Sequence, residues 1–135
     1  MILKKKTNFL QKNNFMSNEG NIIAAREYFF EKKNKNLYFL LKNRYGWMND
    51  YINNNDKVIE LGSGPCLSKY FINDKSFKTS DISNYNFLDY KNIDAMNTKF
   101  DNNSFDVVIS SNMIHHITYP LRHIEEVYRI LKPGG

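Results

Sequence analysis

Val58-Ile59-Glu60-Leu61 runs directly into Gly62-Ser63-Gly64-Pro65, and this stretch decides the fold. Three of its first four residues are apolar and two are β-branched, which predicts a short buried strand. Gly62 and Gly64 fall where the chain must then turn, and glycine allows positive φ and a close backbone approach at no steric cost. The pattern predicts a strand that ends in a glycine-rich turn.

Strand and helix patterns alternate around this turn. Further strands are predicted at 77–80, 93–96 and 105–110, which makes four in all. Helical spacing is found at 21–30, 37–52 and 67–73, and again from Leu121 to the stop at 132–135. The last helix is expected to bury Leu121, Ile124, Val127 or Tyr128, and Leu131. This alternation favours an α/β domain with a doubly wound parallel sheet.

Size and composition restrict the class of protein. The chain has 135 residues, enough for one domain with its own core. Its one cysteine, Cys66, excludes an internal disulfide framework, and a buried position is expected for it. No apolar run approaches the ~20 residues that span a bilayer. We therefore expect a cytoplasmic protein.

The basic charge lies in the N-terminal part. Residues 1–50 hold ten Lys and Arg and four Asp and Glu, whereas residues 51–135 hold nine and ten. Such a region attracts an anionic partner such as phosphate, nucleic acid or a membrane surface, or it is a solvated helix face that keeps the protein soluble.

Asp81 adds a ligand-binding interpretation to the glycine turn. It ends the second strand, 19 residues after Gly62, where a carboxylate accepts hydrogen bonds from both hydroxyls of a ribose. The dinucleotide fingerprint needs glycine at position 67, which is Leu67 here. Glu60 would repel a pyrophosphate and suits a cationic ligand. A dinucleotide oxidoreductase is therefore disfavoured, while a merely tight strand-to-helix connection stays open.

Five ordered segments, together covering about 57–135, resemble the small-molecule (type 11) branch of the class I S-adenosylmethionine-dependent methyltransferases. They are 58–65, 81–82, 94–106 (which matches D-A-x-x-x-x-F-x-x-x-S-F-D), 110–116 and 125–135. Cys66 departs from the pattern, because the family often has a third glycine there.

The resemblance implies a Rossmann-like sheet of seven strands, of which we expect the C-terminal strands to be missing. It divides the chain into a loose N-terminal arm (1–20), an N-terminal helical cap (21–56) and a cofactor-binding half (57–135). The implied cofactor is S-adenosylmethionine. Its implied contacts are Glu60 to the ammonium; Gly62, Ser63 and Gly64 to the amino-acid part; Asp81 to the ribose; Ile82, Asp94, Ala95 and Met96 to the adenine; and Ser110 and Ser111 to the methionine.

The expected reaction is methyl transfer to an oxygen or nitrogen nucleophile of a small molecule. Asn112, His115 and His116 follow the last strand, where the substrate should lie, and a histidine there either removes a proton or packs at a helix start. No metal site is expected, because adjacent histidines diverge on a helix. Tyr28–Phe30 is a candidate lid.

Two alternatives remain from the sequence. The first alternative to an active methyltransferase is a truncated, non-catalytic remnant that binds the cofactor, or one half of a split enzyme. In such a chain the open sheet edge would need a second copy or a partner chain. A nucleic-acid substrate is disfavoured but stays open through the basic N-terminal half.

Overall fold

The computed structural model describes residues 20–32 and 34–135, so the predicted arm lies almost wholly outside the described residues. The helices are α1 (Ile22–Lys32), α2 (Lys35–Gly46) and α3 (Pro120–Ile130), and the strands are β1 (Val58–Leu61), β2 (Lys78–Ser80) and β3 (Val107–Ile109). Short 3-10 turns lie at Trp47–Tyr51, Ser68–Tyr70 and Ile114–His116. None of the described helices is both long enough and apolar enough to cross a membrane.

The three strands form a parallel sheet in the order β2-β1-β3. Glu60 of β1 pairs with Thr79 on one side and Ile109 on the other. All four residues of β1 are buried, as expected for a central strand covered on both faces. This confirms the predicted Rossmann-like α/β class.

Two predicted elements are wrong. Residues 93–96 form a turn in place of a strand, because Asp94 Oδ1 accepts a hydrogen bond from the Met96 amide at 2.8 Å and its carbonyl accepts from the Asn97 amide. The described sheet therefore has three strands, not four. The helix predicted at 67–73 shrinks to Ser68–Tyr70, and the Ser68 hydroxyl turns inward to Glu60.

The helix predicted at 37–52 is confirmed as α2 with the 3-10 turn that follows it. Asn34 caps α2, since its side-chain oxygen accepts from the amides of Asn36 and Leu37 at 3.0 Å. Leu41 and Tyr45 are buried in a cluster that includes Leu67, Phe71 and Ile72. This packing fixes α2 beside the turn that follows β1.

The face predicted for α3 is confirmed only in part, because Val127 packs against the core and Leu131 is half-buried. Leu121, Ile124 and Tyr128 are exposed, and the buried side chains are His123, Glu126 and Ile130. Glu126 Oε1 accepts from the Thr98 amide at 2.7 Å and from its hydroxyl at 2.6 Å, while Arg129 donates to both Glu126 oxygens. A buried carboxylate with all these donors is satisfied, so the polar face turns inward.

We predict that Glu126→Gln lowers the free energy of unfolding by about 2 kcal/mol at neutral pH. Hydrogen bonds from Arg129 lower the pKa of Glu126 from 4.5 to about 2 in the folded chain. A folded pKa below the unfolded one contributes stability above pH 4.5, and that contribution is lost as the pH falls towards 2. Urea unfolding at several pH values measures both effects.

The matched control is Glu125→Gln, which removes the same charge from an exposed position of α3. It should leave the free energy of unfolding nearly unchanged. An equal loss in the two variants would show that the hydrogen bonds to Thr98 and Arg129 contribute nothing beyond the charge of the helix.

Candidate active site

A cavity of about 380 Å³ lies at the carboxyl ends of the three strands. Asp81 borders it after β2, Gly62 after β1 and Ser111 after β3. Since neighbouring strands lie about 4.8 Å apart, the floor of the cavity extends about 10 Å across the sheet. Ten of the predicted residues line it: Gly62, Ser63, Asp81, Ile82, Asp94, Ala95, Met96 and Ser111, which were predicted to bind the cofactor, and Asn112 and His116, which were predicted to face the substrate.

Four predicted residues do not line this cavity: Glu60, Gly64, Ser110 and His115. Glu60 is buried at the end of β1, and the Gly64 amide is held by Asp81. The Ser110 hydroxyl lies 3.0 Å from a ring nitrogen of His123. The exposed ring of His115 lies against that of His116, with 3.9 Å between the centroids.

The glycine turn adopts the predicted left-handed backbone. Gly62 has φ of +71° and Gly64 φ of +49°. A Cβ on Gly62 would lie 2.1 Å from Met113 Sδ, so this position is filled by a side chain of the protein, whereas a Cβ on Gly64 would meet nothing within 4 Å. Gly62 is thus required by packing as well as by the turn, and open space remains beside Gly64.

Cys66 also adopts a left-handed backbone, with φ of +58°, where the resembled family often has glycine. Its thiol is buried and donates to Thr79 Oγ1 at 3.3 Å. Burial raises the pKa of the Cys66 thiol, which keeps it protonated. These contacts support the predicted packing role.

Asp81 joins the turn after β1 to the loop after β2. One carboxylate oxygen accepts from the Gly64 amide and the other from the Ser83 amide, both at 2.9 Å. The side chain is buried but still borders the cavity. Each oxygen retains a further lone pair, which leaves Asp81 able to accept from a ligand hydroxyl.

Glu60 is a buried carboxyl with one unsatisfied oxygen. Its Oε2 accepts from the Ser68 hydroxyl at 2.5 Å, whereas Oε1 is buried without a hydrogen-bond partner. Burial raises the pKa of Glu60 above its ordinary value, and the nearby Asp81 carboxylate raises it further. A cation beside Oε1 would satisfy the oxygen and favour the ionised form.

Tyr45 brings a phenol from α2 into the cavity wall. Burial, followed by the charge of Glu60, raises the pKa of Tyr45 to about 12. The hydroxyl therefore stays protonated at neutral pH and acts as a donor.

His123 was not predicted to take part in the site. It is 3% exposed, with Nδ1 2.9 Å from the Ala95 carbonyl oxygen and Nε2 3.0 Å from Ser110 Oγ. Because a carbonyl only accepts, Nδ1 carries a proton, and in the neutral ring Nε2 then accepts from the Ser110 hydroxyl. His123 thus holds together a loop and a strand end that both carry predicted site residues. No local sequence signal indicates these long-range contacts.

Helix α1 borders the cavity through Ile22 and not through Tyr28–Phe30, which lies away from it. The Arg26 guanidinium donates to the Pro65 carbonyl at 2.9 Å and lies over the rings of Phe87 and Phe30, at 4.4 Å and 5.0 Å. Arg26 therefore fixes α1 to the glycine turn.

We predict that Gly62→Ala destabilises the fold more than Gly64→Ala. Both substitutions place a side chain at positive φ, which costs about 1 kcal/mol, but the first also forces Met113 to move. Thermal unfolding should therefore show the larger fall in Tm for Gly62→Ala, with part of it recovered in the Gly62→Ala/Met113→Ala double variant. Equal falls for the two single variants would contradict the packing role of Met113.

Comparisons with known proteins agree with this geometry. The profile of a family described as Methyltransferase domain matches residues 63–135. The ubiquinone/menaquinone biosynthesis C-methyltransferase UbiE of Ruegeria sp. (strain TM1040) is 46% identical over 48 residues, which is 36% of this chain and 19% of that relative. The aligned part thus spans less than a fifth of that protein.

Solved structures show the same fold. The CurJ carbon methyltransferase superposes with a TM-score of 0.61 at 18% identity, over 87% of this chain and 38% of the other. The methyltransferase CalH, in complex with S-adenosylhomocysteine, gives a TM-score of 0.52 at 21% identity, over 82% and 45%. Because the family match covers more than half of the residues and agrees with the segments found in the sequence, the chain belongs to the methyltransferase domain family.

Proposed function

We propose that this chain binds S-adenosylmethionine and transfers its methyl group to a nucleophilic atom of a small molecule. The observation that carries the proposal is the buried, unpartnered oxygen of Glu60 beside a glycine turn and Asp81, at the carboxyl ends of parallel strands. The acceptor atom is proposed to be oxygen or nitrogen, and the C-methyltransferase name of one relative adds carbon to that range.

The polar groups in and beside the cavity suit the parts of the cofactor. Glu60 would hold the ammonium directly or through water, because its unpartnered oxygen can accept a hydrogen bond and a cationic donor would also favour the ionised carboxylate. Asp81 would accept from the ribose hydroxyls. The adenine would lie near Ile82 and the Asp94 turn, and the amino-acid part beside Ser63, Gly64, Ser110 and Ser111.

The sulfonium supplies an activated methyl group, so the protein must mainly orient the acceptor and exclude water. Leu41, Met113 and Ile117 provide apolar wall near the end of β3. Asn112 and His116 are proposed to orient the acceptor there, with His116 accepting a proton where the nucleophile carries one. His115 does not line the cavity and has the weaker claim to this role.

The proposal extends to assembly. Among the described residues β3 pairs with β1 alone, so its outer edge is open to a further strand from a second copy or a partner chain. A split enzyme would bind the cofactor and show methyl transfer only with such a partner. A non-catalytic remnant would bind the cofactor without methyl transfer, so both outcomes differ from that of the main proposal.

We predict that S-adenosylhomocysteine binds this chain and that Asp81→Asn weakens binding by about 1–3 kcal/mol, because a charged acceptor for the ribose is lost. Isothermal titration calorimetry measures the affinity. Asp74→Asn is the matched control, since Asp74 binds only within its own turn, to Ser76. His116→Ala should leave the affinity nearly intact. Binding that is absent in a folded chain, or unchanged in Asp81→Asn, would contradict the proposed site.

We further predict that binding of S-adenosylhomocysteine releases a proton from Glu60. Burial raises the pKa of Glu60, which favours the neutral carboxyl, and the ligand ammonium would lower that pKa and favour the ionised form. Binding enthalpies in buffers of different ionisation enthalpy count the released protons. Glu60→Gln should bind more weakly and show no such release. Identical enthalpies for the wild-type chain in all buffers would exclude Glu60 as the ammonium site.

A further inference from the structure

Arg44 places a positive charge at the β3 side of the cavity. It lies in the last turn of α2, and among the described residues it is the only Lys or Arg that lines the cavity. Asp81 and Asp94 also line it, and Asp81 follows β2, at the opposite edge of the sheet. The cavity is therefore acidic towards β2 and basic towards β3.

Asn112 holds the guanidinium in place. We assign the Asn112 amide with its oxygen towards Arg44, and this oxygen then accepts from Nη1 at 3.1 Å and from Nη2 at 3.3 Å. The opposite amide orientation would set N–H groups against N–H groups. Asn112 has φ of +57°, a conformation that asparagine adopts more readily than most residues.

The charge of Arg44 is not neutralised within the described part of the chain, where no carboxylate lies within 4.0 Å of it. A guanidinium presents five N–H donors, and one amide oxygen satisfies only part of them. The planar N–H donors of Arg44 face the cavity, and the neighbouring Asn112 amide is neutral. A carboxylate fits this arrangement, because its two oxygens accept two parallel hydrogen bonds from a guanidinium.

We infer that Arg44, positioned by Asn112, binds a carboxylate at the β3 side of the cavity, where methyl transfer would occur. This inference rests on the proposed function for the identity of the ligand. The carboxylate belongs either to the amino-acid part of the cofactor or to the methyl acceptor. In the second case, the enzyme selects anionic acceptors over neutral ones.

Titration calorimetry of the wild-type chain, Arg44→Gln and Lys42→Gln tests the first source. The ligands are S-adenosylhomocysteine and its decarboxylated analogue, which keeps the ammonium. Lys42→Gln is the matched control, because Lys42 is an exposed cation of α2 that does not line this cavity. If the cofactor supplies the carboxylate, Arg44→Gln should bind S-adenosylhomocysteine about tenfold more weakly or worse, with the decarboxylated analogue unaffected.

Nuclear magnetic resonance titration with acetate tests the second source, on the free and the S-adenosylhomocysteine-bound chain, with acetamide as the neutral control. If the acceptor supplies the carboxylate, acetate should shift the Asn112 amide resonances in the wild-type chain and in Lys42→Gln but not in Arg44→Gln. In that case the affinity for S-adenosylhomocysteine should be unchanged in Arg44→Gln.

The inference is overturned if Arg44→Gln behaves like Lys42→Gln in both titrations. Failure of the proposed function gives a different result, because the wild-type chain would then bind neither adenosyl ligand. The acetate titration of the free chain would still report whether Arg44 binds a carboxylate.

Discussion

Strand β1 is buried between two parallel neighbours, and the rest of the site depends on this position. A central strand brings its carboxyl end into reach of the loops that follow both partners. Glu60 belongs to the buried strand, so the fold carries an ionisable group in its core. Ser68 satisfies one oxygen and leaves the other without a partner. Such a group costs stability, and this cost agrees with the binding role that we propose for Glu60.

The sequence was sufficient to predict elements whose signals are local. The apolar run of β1, the glycine turn and the periodicity of α2 all describe neighbouring residues, and all three are confirmed. The strand predicted at 93–96 is wrong because the Asp94 side chain accepts a hydrogen bond from the Met96 amide and forms a turn, which an apolar–polar pattern does not detect. The strand order determines which side chains border the same cavity. The sequence indicated that the strands are parallel but did not indicate their order.

Helix α3 shows why hydrophobic periodicity predicts only part of a buried face. Hydrophobic periodicity assumes that apolar side chains turn inward, but here the inward positions include His123 and Glu126. Each is satisfied by a partner far away in sequence: Ala95 and Ser110 for the histidine, and Thr98 for the glutamate. The polar face of α3 thereby fixes the loop that carries part of the candidate site. Those partners are contacts of the folded chain and have no signature in a single sequence.

The order of the strands also determines how an elongated ligand would be oriented. Asp81 follows β2, Glu60 and the glycine turn lie at the centre, and Arg44 approaches from the side of β3. Consider a ligand with hydroxyl donors at one end, a cationic group in the middle and a carboxylate at the other end. It would face Asp81, Glu60 and Arg44 in that order, and each of these has the complementary charge or hydrogen-bonding character. The reversed ligand would place its carboxylate against Asp81 and Asp94, where like charges repel. The opposite charges at the two sides of the cavity, Asp81 and Asp94 against Arg44, would therefore favour a single binding direction.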